Sequence, residues 1–165
     1  HTPGNLDFKN LNVTSIDLND QIEIQNLKDR ASKLHIFTVD YLAEIIRSKN
    51  LIPLEDRNSF DLFVKEDQLS KIFEIKSLSN ENFVTQIRSA IIQIQEYIFT
   101  HSQIYKTDGF DINIQKFIVF HDNPKNYTSE KTINKYFLFA EKLKINILWL
   151  ENGEIKNSIN SLMPW

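Results

Sequence analysis

Two short apolar runs carry the chain's strongest chemical signal. Asp61 lies within Ser59-Phe-Asp-Leu-Phe-Val, and Glu74 and Lys76 lie within Lys71-Ile-Phe-Glu-Ile-Lys. Along a strand, side chains two residues apart share a face, so Glu74 and Lys76 point one way while Phe73 and Ile75 point the other. Charges on a strand that otherwise looks buried need a partner or a metal, because an isolated buried charge is costly. If the two runs pair as an antiparallel hairpin in a suitable register, Asp61 and Glu74 converge, with Lys76 one step along. Two carboxylates with room for water suit Mg2+, a hard cation that keeps several waters, with Mn2+ as a substitute. Such an ion polarises a phosphate ester and acidifies a bound water. Lys76 would orient or deprotonate that water, or offset charge developing on the phosphate. Its protonation state beside carboxylates and a metal is open at this point. A Glu-x-Lys tripeptide alone is common and reads first as a structural ion pair on an exposed strand. The order of parts carries more: an Asp in an apolar strand, a turn, apolar-Glu-apolar-Lys, then a polar loop into a helix.

That helix adds a third element. At about 100° per residue, Gln86, Gln93 and Tyr97 fall in one narrow sector, while Phe83, Ile87, Ile91, Ile94 and Ile98 form the core stripe. A line of two glutamines and a tyrosine suits donors that hold phosphate or position a carboxylate; it is also what a solvated helix face looks like. Arg88 and Lys76 are the nearest candidate cations.

The elements that must position these residues follow from periodicity. The first twenty or so residues alternate weakly, as a short strand or an arm, and an arm or linker is assigned to 1–25. A helix is expected from about Asp20 to Lys49 on a stripe including Ile24, Leu27, Ala31, Leu34, Tyr41, Leu42 and Ile45, ended by Asn50 and Pro53. The hairpin follows, its two runs separated by Lys65-Glu-Asp-Gln. Ser79-Asn-Glu-Asn supplies capping residues for a helix from about Phe83 to Phe99 or His101. Ile112 to Phe120 reads as a strand, His121-Asp-Asn-Pro as loop, Glu130 to Leu143 as a helix and Ile145 to Leu150 as a buried strand. Helix, hairpin, helix, strand, helix, strand is an α/β layer order with a mixed sheet.

The runs Phe60-Asp61-Leu62, Phe73-Glu74-Ile75-Lys76-Ser77 and Gln86 to Tyr97 resemble the PD-(D/E)xK, or restriction-endonuclease-like, nuclease superfamily. The last includes Gln93-Ile-Gln-Glu-Tyr97, similar to the Gln-x-x-x-Tyr signature that follows the lysine in many bacterial members. The resemblance spans roughly Asp29 to Leu150, within a domain assigned to 26–165. It departs at Phe60, where the family name places proline. It implies a mixed central sheet flanked by helices, one or two magnesium ions, and cleavage of phosphodiester bonds in DNA. The expected setting is a bacterial restriction, phage-defence or repair protein. Asp61 and Glu74 would be metal ligands, Lys76 the catalytic lysine, and Gln93 and Tyr97 active-site support. A helix before the hairpin often supplies another carboxylate, and Glu44 is the candidate. Cutting both strands of a duplex usually calls for two active sites, so a symmetric homodimer is an expected partner state.

Composition narrows the alternatives. The 165 residues are 41% hydrophobic and 25% charged, as in ordinary globular domains. There is no cysteine, and His35, His101 and His121 lack the spacing of a zinc site. Three glycines in the whole chain argue against a phosphate-binding loop. No apolar run approaches a membrane span, and no leader pattern is visible, so a cytoplasmic protein is the expectation. The chain opens with His1 and its one methionine is Met163, which reads as a domain taken from a longer protein. Sequons at Asn12 and Asn126 are read as chance in an asparagine-rich chain. The net charge of −3 runs against nucleic-acid binding, so any grip must be local, metal-assisted or supplied by another domain or subunit. It also keeps open a non-catalytic module that retains the fold and binds nucleic acid or protein. A third alternative is a dimerisation domain that uses the apolar surface of the first helix.

Overall fold

The computed structural model describes residues 18–56, 58–66, 69–105 and 113–165. Helix α1 spans Leu18–Ser48 and is followed by strands β1 (Pro53–Asp56), β2 (Phe60–Lys65) and β3 (Leu69–Lys76). Helix α2 (Phe83–Tyr105) leads to β4 (Asn113–Phe120), a 3₁₀ turn at Pro124–Asn126, and helix α3 (Glu130–Lys142). Strands β5 (Ile145–Glu151) and β6 (Glu154–Asn157) complete the order. The six strands form one sheet in sequence order. β1, β2 and β3 run antiparallel, β3, β4 and β5 run parallel, and β6 returns antiparallel on β5. The mixed α/β sheet expected from the sequence is therefore present.

Apolar side chains on both sheet faces explain why helices cover both. On one face Leu62, Val64, Phe73, Ile75, Phe117 and Val119 pack with Leu42, Ala43 and Ile46 of α1. On the other, Phe63, Ile72, Ile118 and Phe120 pack with Phe83, Ile87 and Ile94 of α2 and with Ile133 and Tyr136 of α3. Burying each large aliphatic or aromatic side chain contributes roughly 1.5–3 kcal/mol. Helix α3 is defined at its start by Ser129, whose side chain accepts the Thr132 N–H, and carries Glu130 in its first turn and Lys142 in its last. Asn50 and Lys144, just beyond α1 and α3, take positive φ values of 60° and 55°, the left-handed conformation that ends helices.

Several expectations change. Helix α1 runs unbroken from Leu18 through position 25 within the described residues, so the boundary assigned there falls inside a helix. The weak strand or arm expected before it, and the Asn12 sequon, lie outside the described residues. Ile24 and Leu27, counted in the apolar stripe, are exposed; continuous burial begins nearer Thr38 and Leu42. The early turns of α1 extend past what the sheet covers. Strands β1 and β6 were not expected. β1 is a four-residue edge with proline at its first position, where a missing N–H costs no ladder bond. β6 follows Asn152-Gly153, both at positive φ, a two-residue hairpin turn. Trp165, unassigned by the sequence, packs on the α1-side core with its ring 6.0 Å from that of Phe73.

Candidate active site

β2 and β3 pair with Leu62 opposite Phe73 and Phe63 opposite Ile72. One residue beyond that register, the Asp61 carboxylate replaces a carbonyl as acceptor: its Oδ2 receives the Ile75 N–H at 2.7 Å. This holds Asp61 beside the part of β3 that carries Glu74. The alternation read from the sequence sets Phe73 and Ile75 in the α1-side core and leaves Glu74 and Lys76 on the α2 side. Lys76 Nζ lies 2.6 Å from Glu74 Oε1 and 2.6 Å from Gln93 Oε1 of α2. Ser89, one turn earlier on α2, donates to the same Gln93 oxygen at 3.0 Å. The structure thus brings Asp61, Glu74, Lys76 and Gln93 into one row across two strands and a helix.

Glu74 is 4% exposed. Burial, and then the Asp61 carboxylate, push its carboxyl up to about 6, against the pull of Lys76. Tyr97 is buried with its ring 5.0 Å from Phe60 and 6.1 Å from Phe63, and it forms a wall of the site. Gln86 faces a separate hollow on the α1 side, so the expected line of two glutamines and a tyrosine divides between two clefts. Arg88 is directed to α3, 5.5 Å above the Tyr136 ring, and is not a cation of this site.

Glu44 does not join the row. Its side chain is 73% exposed and is held by Arg47 at 2.6 Å. The helix instead presents His35, whose Nε2 is 3.2 Å from Asp61 Oδ1. Glu44 follows His35 by nine residues, which at about 100° each leaves them on opposite faces of α1. The hydrogen bond to Asp61 raises the His35 pKa above its ordinary value despite burial. A signal for His35 existed: it shares the spacing of Ala31, Thr38 and Leu42, the face that meets the sheet.

Two hollows flank the row. A cleft of about 680 Å³ opens beside Asp61 and Glu74, between the β1–β2 turn and the later part of α2. A shallower one of about 380 Å³ lies on the other side, lined by His35, Lys76, Ser77 and Gln86. As a donor set, the Asp61 and Glu74 oxygens fit a hard, largely hydrated cation such as Mg2+. Among the described residues no group of three or more His, Cys, Asp and Glu side chains is arranged to enclose an ion. Water or a substrate oxygen would have to complete the coordination.

Beside this row stands a second polar cluster. His121, just past β4, donates its N–H to the Lys76 carbonyl and accepts the Leu78 N–H on Nδ1 at 2.9 Å. In the neutral ring the proton is therefore on Nε2, directed at the Tyr127 oxygen 3.3 Å away, and Tyr127 donates to Asp122 at 3.0 Å. This histidine is satisfied within its loop. Comparison with family models, with curated proteins and with solved structures finds no match to this chain.

Proposed function

We propose that this domain is a metal-dependent nuclease of the PD-(D/E)xK, restriction-endonuclease-like class, hydrolysing phosphodiester bonds in DNA. The observation that carries the reading is the convergence of Asp61, Glu74, Lys76 and Gln93 beside an open cleft. The mixed sheet flanked by helices is the arrangement that the resemblance implies. Asp61 and Glu74 would hold Mg2+, which when bound supplies positive charge to the scissile phosphate and acidity to a water. The buried Glu74 favours losing its proton as a cation arrives, so ion binding relieves an unfavourable carboxylate. Lys76, fixed by Gln93, places its ammonium against the carboxylate edge, where it steers the phosphate or attacking water and offsets developing charge. His35 sets the Asp61 carboxylate from the opposite side.

The test is nicking of supercoiled plasmid and cleavage of an oligonucleotide in Mg2+ and Mn2+, with Mg2+ binding followed by calorimetry. Lys76→Ala is expected to lose about 100-fold or more in rate with its fold intact by circular dichroism. Unchanged cleavage would sink the mechanism. A second reading, a non-catalytic nucleic-acid- or protein-binding module, draws on the way the charges already satisfy one another, Asp61 with His35 and Glu74 with Lys76. Binding of nucleic acid with no cleavage in either metal would favour it.

A further inference from the structure

The two hollows beside the catalytic row differ in chemistry, and the difference orients a substrate. The smaller one is lined by the Lys76 side chain and the His35 imidazole. The larger one has aromatic walls from Phe60, Tyr97 and Phe99, and its charged lining residues are the carboxylates Asp56, Asp61, Glu74 and Glu96. Beyond the two carboxylates assigned to the metal, Asp56 and Glu96 disfavour a phosphate track here, whereas an uncharged heterocycle with amino donors on its edge is matched by rings and carboxylates together. Phe99 is 66% exposed at the rim.

We propose that the larger cleft receives an unstacked nucleobase, so that the preferred substrate is single-stranded nucleic acid. This deepens the nuclease reading and rests on it for placing the phosphate over Lys76 and His35. A base paired within a duplex is stacked on both faces and enters a cleft walled by rings only after unpairing and unstacking, a cost that single strands largely avoid. Phe99 and Phe60 would supply that stacking. The Glu96 and Asp56 carboxylates would accept from the exocyclic amines of adenine, cytosine or guanine.

The test measures fluorescence anisotropy of end-labelled oligodeoxyadenylate, the corresponding ribo-oligomer, an abasic strand and a fully paired duplex, with Ca2+ in place of Mg2+ to prevent turnover. The expected result is single-strand binding at least about tenfold tighter than binding to the duplex or the abasic strand. Phe99→Ala should weaken single-strand binding by about fivefold or more, as loss of a base–ring stack does, and Phe99→Trp should restore it. Duplex or abasic binding as tight as single-strand binding, or an unchanged Phe99→Ala, would overturn the inference. Equal affinity for the deoxy and ribo strands supports a base-directed cleft; a preference for one sugar that persists on abasic strands counts against it. Cleavage in Mn2+ separates the two claims. Lys76-dependent cutting without single-strand preference removes this inference alone, while base-dependent binding without cutting removes the nuclease reading and keeps the cleft.

Discussion

Glu74 near the end of β3 and Asp122 just past the end of β4 are carboxylates at the same edge of two parallel strands, yet their surroundings drive them apart. Burial raises both, Glu74 to about 6, where the Asp61 charge adds to the effect and Lys76 offsets only part of it. At Asp122 burial is outweighed by hydrogen bonds from Asn126, the Asn123 N–H and Tyr127, and its carboxyl lies below its ordinary value. One cluster meets its carboxylate with three donors and serves structure. The other presses two carboxylates together beside a cleft and holds one of them toward neutrality.

The largest effect that could break this contrast belongs to Glu74→Gln. A carboxyl held at about 6 instead of 4.5 disfavours the folded state at neutral pH by on the order of 2 kcal/mol. The sign follows from the raised value: the unfolded chain gives up its proton first. The Glu74 contribution is therefore fully present below pH 4.5 and lost as pH rises through about 6. Denaturant unfolding should show Glu74→Gln more stable than the parent at pH 8 by up to this amount and no more stable at pH 4, while cleavage is lost. A destabilised variant at pH 8 would mean that the Lys76 pair outweighs burial. Next in size is Tyr127→Phe, which removes the middle of the His121–Tyr127–Asp122 chain. A loss of about 1 kcal/mol is expected from the same unfolding measurement, with cleavage retained. If it abolished cleavage instead, the two clusters would be one machine. Smallest is Glu44→Ala: stability within about 0.5 kcal/mol of the parent and unaltered cleavage, because an exposed ion pair contributes little. Lost activity there would return Glu44 to the site.

Much of this arrangement was legible beforehand, and the gaps have physical causes. Two-residue alternation set Glu74 and Lys76 together, and the helical stripe from Phe83 to Ile94 is buried as its spacing indicated. The convergence of Asp61 with β3 needed a register that alternation alone does not fix, and it is completed by a side-chain bond to the Ile75 amide. The zinc-ligand spacings tested for His35 do not reveal its role, because its partner Asp61 lies 26 positions further along on a different element, and their proximity is a tertiary fact. Glu44 failed on rotation about the helix axis, which the sequence did contain. The Asn152-Gly153 turn was a local hairpin signal that went unread, and β6 with it. Exposure of Ile24 and Leu27 reflects where the sheet ends, which no helical period encodes.

Helix α1 is fastened at two places along its length. His35 meets Asp61 on β2, and the Tyr41 hydroxyl donates to the Gly153 carbonyl in the β5–β6 turn at 2.5 Å. The fixings leave the helix on different sides, about 120° apart around its axis. A rod held that way can neither roll nor slide along the sheet, so the helix works as a crossbeam between its two margins. The orientation of the imidazole toward Asp61 is thereby tied to a hairpin at the far edge of the sheet, and loosening that turn would be felt as play in the site.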